Sequence, residues 1–75
     1  MKIDKDYAYN FLLEVAVQHE LTSGSNKCIT QRLLKERNLK KKHMIKLAAL
    51  CSALSKEEEY IKEQAKKIAK ERKGD

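Results

Sequence analysis

The chain has 75 residues, 41% of them hydrophobic and 37% charged, which is too apolar for a disordered segment and too charged for a membrane-embedded one. No apolar run approaches the ~20 residues that a membrane span needs. Met1-Lys2-Ile3-Asp4-Lys5-Asp6 places acids where a secretory leader has a basic flank and an apolar stretch, so a cytoplasmic (or host-cytoplasmic) location is expected.

Helix 1 is predicted over residues 4–21. Asp4 can cap its first turn, and Asp6 suits the positive end of the helix dipole. Tyr7, Phe11 and Val15 recur at four-residue spacing with Ala8, Leu12 and Ala16 beside them, which makes one broad apolar face. Tyr9 falls on the outer side. His19 falls in the last turn, where it suits the negative end of the dipole. Thr22-Ser23-Gly24-Ser25-Asn26 is the clearest loop in the chain, and Ser25 or Asn26 can cap the second helix.

Helix 2 is predicted over 27–37, with Ile29, Leu33 and Leu34 inward and Arg32, Lys35 and Arg37 outward. Asn38 ends it, because asparagine tolerates the left-handed conformation, and Leu39 comes next as an apolar anchor. Helix 3 is predicted over 40–54, with Met44, Leu47, Ala48, Cys51 and Leu54 as its stripe. Ser55-Lys56-Glu57-Glu58 then has the form of a capping box, so a fourth helix is predicted over 56–72. Its apolar face is thin: Ile61, Ala65 and Ile68, with Tyr60 at one edge. The alternative makes helices 3 and 4 continuous. Leu47, Leu54, Ile61 and Ile68 then repeat every seven residues, a stripe on which a second copy could pair. The fold class is all-α: a small bundle of about four helices forming a single helical domain over 1–75.

Net charge is +6, and it is unevenly placed. Residues 27–46 carry eight Lys or Arg against Glu36 alone, whereas residues 1–26 are net acidic and 47–75 nearly balanced. A localised positive segment favours a polyanionic partner. The segment also invites comparison with a helix-turn-helix. With Asn38 at the turn, Leu33, Leu39, Met44 and Leu47 fall on the positions that such a motif buries. Arg32, Lys35, Arg37, Lys40, Lys41, Lys42, His43 and Lys46 are then the candidate contacts to nucleic acid or an acidic partner. Lysine suits phosphate better than bidentate base readout, so modest sequence specificity is expected. Leu34 and Arg37 depart from the motif, which prefers a small and an apolar residue at those places.

Catalytic signals are absent, and no enzyme activity, cofactor or metal is expected. Cys28 and Cys51 lie 23 positions apart without a close ligand pair, and both fall on predicted inward faces as free thiols. His19 and His43 stand apart from any nucleophile arrangement. The aromatic residues Tyr7, Tyr9, Phe11 and Tyr60 avoid the basic segment, which argues against a single-strand reader. The expectation is a binding module for nucleic acid or nucleoprotein. The alternatives are a small adaptor or inhibitor, of the accessory or mobile-element type, docking on a larger protein, and a homodimer through the 47–68 stripe. No membrane partner is expected.

Overall fold

Asp4 starts the first helix as its chemistry predicts: its Oδ1 accepts the Tyr7 amide at 2.9 Å, replacing a hydrogen bond that the first turn cannot make internally. The computed structural model describes residues 2–74. It contains α1 (Lys5–Thr22), α2 (Asn26–Glu36), α3 (Lys41–Ala53) and α4 (Glu58–Arg72), with a 3-10 turn at Ser55–Glu57 joining the last two. No strand occurs among the described residues, so the all-α architecture expected from the sequence is the one found.

Two left-handed residues end the first two helices. Ser23, with φ 59°, closes α1 by donating its amide to the His19 carbonyl at 2.8 Å. Gly24 then lies close enough to α1 that a Cβ would meet the Thr22 hydroxyl at 3.2 Å. The His19 Nδ1–H donates to the Gly24 carbonyl at 2.7 Å and fastens the loop. Ser25 caps α2 by accepting the Cys28 amide at 3.2 Å. Asn38, with φ 53°, succeeds α2 as expected and delivers Leu39 to the core. A Cβ clashes in this conformation, and only glycine or a short polar side chain adopts it at low cost. Asn38→Ala is therefore expected to lose about 1 kcal/mol in a urea melt while Asn38→Gly keeps the parental midpoint. Equal midpoints for the two variants would remove the role assigned to the turn.

The α3–α4 corner departs from the capping-box reading. Ser55 makes no cap; its residue instead opens a 3-10 turn in which the Glu57 amide donates to the Leu54 carbonyl at 2.9 Å. Leu54 is only 5% exposed, and its burial fixes the corner one residue earlier than Ser55. Backbone hydrogen bonds satisfy the donors that the serine hydroxyl was expected to take.

α1 is the central element, and it packs with α2, α3 and α4. Ala8, Phe11 and Val15 meet Ile29, Leu33, Leu39, Leu47 and Leu54 in the larger core cluster, which Ile3 closes. Val17 belongs to a second cluster, with Ala65 and Ala69 of α4 and with Leu13, Ala16 and Leu21 around them. The one-face description of α1 is thus incomplete, because Leu13, Val17 and Leu21 form another four-residue stripe. Cys28 is exposed rather than inward. Ile29 and Leu33, one helical turn apart, take the short buried face of α2 and leave Cys28 outside it.

A paired interaction anchors the end of α4. Arg72 donates through Nη1 and Nη2 to the two Glu14 carboxylate oxygens at 3.1 and 3.3 Å, and Gln18 donates to the same carboxylate at 2.8 Å. The Arg72 hydrogen bond, partly opposed by desolvation and aided by Gln18, holds the Glu14 carboxyl below its ordinary range. A carboxylate with a depressed folded-state pKa stabilises the fold above its unfolded pKa, and that contribution is lost as pH falls through the folded value. Wild-type stability is expected to decline on acidification through the carboxylate range, and Glu14→Gln is expected to flatten part of that decline. Urea midpoints across acidic pH test this, and parallel curves for the two chains contradict it.

Candidate nucleic-acid interface

Five lysines gather at the α2–α3 junction. Lys35 lies in the last turn of α2, Lys40 is the residue before α3, and Lys41, Lys42 and Lys46 occupy the first two turns of α3. All five side chains are exposed. Among the described residues, none of the five lies within the 4.0 Å of a carboxylate that defines an ion pair.

The local helix chemistry sharpens this concentration of charge. α3 contains no acidic residue, has none in its first turn, and carries no side-chain cap at Lys40. Its first amides therefore point outward without a side-chain acceptor, at the positive end of the helix dipole. Three consecutive lysines occupy the end of the helix where cations are disfavoured, and an anion placed there relieves both the open amides and the crowded ammonium groups.

The other predicted contact residues are differently placed. Arg32 is drawn to the side of α2, 3.8 Å from Glu36, and donates to the Gln18 side chain at 3.3 Å. Arg37 is half-buried rather than outward. Its guanidinium lies 5.4 Å from the Tyr7 ring centre and 5.2 Å from that of Phe11, so it covers the core as a cation over two aromatic faces. This accounts for a charged residue at a position that favours an apolar one. His43 is also half-buried, and its Nδ1 has no hydrogen-bond partner among the described residues.

Leu33, Leu39 and Leu47 are buried and Met44 is half-buried, as the helix-turn-helix comparison required. The packing beneath them differs from that motif. α2 and α3 rest on α1, and their backbones scarcely approach each other away from the turn. The heptad stripe is also turned inward: Leu47, Leu54 and Ile61 are 3%, 5% and 4% exposed, and Ile68 packs beside the α1–α4 seam. These side chains fill the chain's own core and form no continuous outer face.

The inward stripe assigned to α3 needs a second correction. Ala48 is exposed, and so are Ile45, Ala49, Ser52 and Ala53. α3 is apolar on nearly every side, so periodicity alone could not say which face the core would take. The exposure of Ile45 had a weaker signal, its position between Lys41, Lys42 and Lys46 on the wheel.

Elsewhere, an open groove of about 570 Å³ runs between α1, the start of α2 and the α3–α4 corner. Leu12, Ala16, Leu54 and Ile61 line its apolar part, and the rim holds both signs of charge, with Glu58 and Lys62 paired at 3.4 Å. Cys51 borders it, and burial pushes that thiol up, toward the neutral form. No group of three or more His, Cys, Asp or Glu side chains suited to a metal ion occurs among the described residues. No helix of the described residues is long and apolar enough to cross a membrane.

No family model matches the chain, and no curated protein or solved structure matches it.

Proposed function

We propose that this chain is a non-enzymatic binding module that grips the phosphate backbone of nucleic acid, free or within a nucleoprotein. The observation that carries the reading is the set of five exposed lysines, without carboxylate partners among the described residues, crowded around the open positive end of α3. Ammonium groups neutralise phosphates and release counterions, which gives affinity without sequence information. Arginine, asparagine and glutamine bring planar groups to base readout, whereas the ammonium groups of Lys41, Lys42 and Lys46 are flexible point charges without a rigid fork, suited first to phosphate. The module therefore discriminates weakly among sequences and strongly among salt concentrations.

Affinity capture from cell extract, with and without nuclease, tests the proposal together with direct titration of duplex DNA in low salt. The reading predicts direct duplex binding and capture of nucleic acid or nucleoprotein that nuclease removes. Absence of duplex binding at low salt overturns it. A discrete protein complex that survives nuclease supports the other reading, a small adaptor or inhibitor docked on a larger protein.

A further inference from the structure

Phosphate contacts leave Ile45 unused. This side chain is 64% exposed on α3, whereas Leu47, two residues on, is 3% exposed and packs into the larger core cluster. Two residues turn a helix through about 200°, so Leu47 fixes the inward side of α3 and Ile45 stands near the middle of the outward side. An exposed aliphatic residue is ordinary by itself. Its neighbours distinguish this one. Lys41 lies about 40° round the helix to one side of Ile45, and Lys42 and Lys46 lie about 60° and 100° to the other. All three lysines are exposed and without a carboxylate partner among the described residues.

The rest of the outward side is small. Ala48, Ala49, Ser52 and Ala53 are exposed there, and α3 contains no acidic residue. Glu36, the one acid of residues 27–46, is drawn toward Arg32 on α2 at 3.8 Å. The first two turns of α3 thus present an apolar ridge between two cationic flanks. A complementary surface has phosphates on two sides and apolar groups between them. The major groove of B-form DNA has that cross-section. It is about 12 Å wide, admits a helix of about 10–12 Å diameter, and carries the thymine methyl on its floor. The deep, narrow major groove of duplex RNA does not admit side chains in this way, and uracil has no methyl to offer.

We infer that the first two turns of α3 enter the major groove of duplex DNA, with Ile45 against thymine methyl groups and the lysines on either side of it against the two phosphate walls. This rests on the phosphate-binding reading and adds to it the duplex, the groove and a side chain that touches bases. Lys35 and Lys40 extend the cationic rim at the α2–α3 turn. The ammonium groups hold the backbone, and Ile45 takes the methyl groups out of water. Ile45 donates no hydrogen bond to a base, so the resulting preference is for thymine over bases without a methyl, and it is small. Covering one methyl group contributes about fourfold in affinity.

Titration of the full chain with an A·T-rich duplex, and with the same duplex carrying uracil in place of every thymine, tests the inference. The exchange removes the major-groove methyl groups and keeps every phosphate. The wild type is expected to bind the thymine duplex about fourfold or more tightly than the uracil duplex, and Ile45→Ala to bind the two equally. Position 45 is exposed, so the variant keeps its fold, as circular dichroism will verify. It also keeps all five lysines, so its salt slope is expected to match the wild type. Methylating cytosine at C5 in a G·C-rich duplex returns a methyl to the groove and is expected to raise the affinity of the wild type but not of Ile45→Ala. Tyr60→Ala removes an exposed side chain on α4 and is expected to retain the thymine preference. Equal affinity of the wild type for the thymine and uracil duplexes overturns the inference. So does an undiminished thymine preference in Ile45→Ala, which would trace the preference to duplex shape. Salt-dependent binding that persists in either case leaves the phosphate-binding reading standing, whereas absence of binding to every duplex at low salt overturns both.

Discussion

Phe11→Ala is expected to remove about 3–5 kcal/mol, a large share of the stability that the fold holds at room temperature. Phe11 is 3% exposed at the centre of the larger core cluster, where α1 meets α2 and α3. Truncating a buried phenylalanine costs about 3–5 kcal/mol, through lost burial and the cavity left behind. A chain of this length has a total stability of only about 4–11 kcal/mol. The substitution also removes one of the two rings beneath Arg37 and leaves that half-buried guanidinium less well covered. Tyr60→Ala provides the contrast: Tyr60 is 54% exposed, and its removal is expected to shift stability by no more than about 0.5 kcal/mol. Urea denaturation monitored by circular dichroism measures both. A Phe11→Ala midpoint near the parental one would contradict the placement of this ring at the core.

The second large effect concerns binding. Lys35→Gln, Lys40→Gln and Lys46→Gln together remove three charges from the α2–α3 junction while sparing Lys41 and Lys42. All three side chains are exposed, so the fold has no reason to change. If each ammonium neutralises one phosphate, raising salt fourfold weakens each contact by about 3.5-fold, because the logarithm of affinity falls by about 0.9 per contact for each decade of salt. Three contacts together account for about a 40-fold salt effect over that interval, which the triple variant is expected to lose. Lys62→Gln, Lys66→Gln and Lys67→Gln on α4 remove the same charge elsewhere. A similar loss in both triples would show that overall charge is sufficient and that the junction has no special role.

The helices were legible because local chemistry punctuates this chain. Asp4, Ser25 and Asn38 act where their side chains suit a cap or a left-handed turn, and Ile29 and Leu33 have few apolar competitors on α2. Legibility failed where the local signal was degenerate or where distant contacts decided the outcome. α1 carries apolar stripes on two sides, and only the arrival of α4 on the second reveals why Val17 is buried. α3 is apolar nearly all round, so Ala48 and the outer surface around Ile45 could be assigned only once α1 had taken one side. Ser55 had the right spacing for a cap, but burial of Leu54 brought the corner forward. In the candidate interface, the lysines are exposed as their charge demands, whereas Arg37 turned inward because Tyr7 and Phe11 offer it two ring faces. That contact joins residues from different helices, and spacing within one helix could not announce it.

The most direct measurement of the central claim is the salt dependence of duplex DNA affinity. A plot of log affinity against log salt is expected to have a negative slope that becomes shallower by about one for each lysine removed from the set Lys35, Lys40 and Lys46. The corresponding lysines of α4 are expected to leave the slope nearly unchanged. Measurable affinity with a slope indifferent to the junction lysines, or no duplex binding at low salt, would contradict the account.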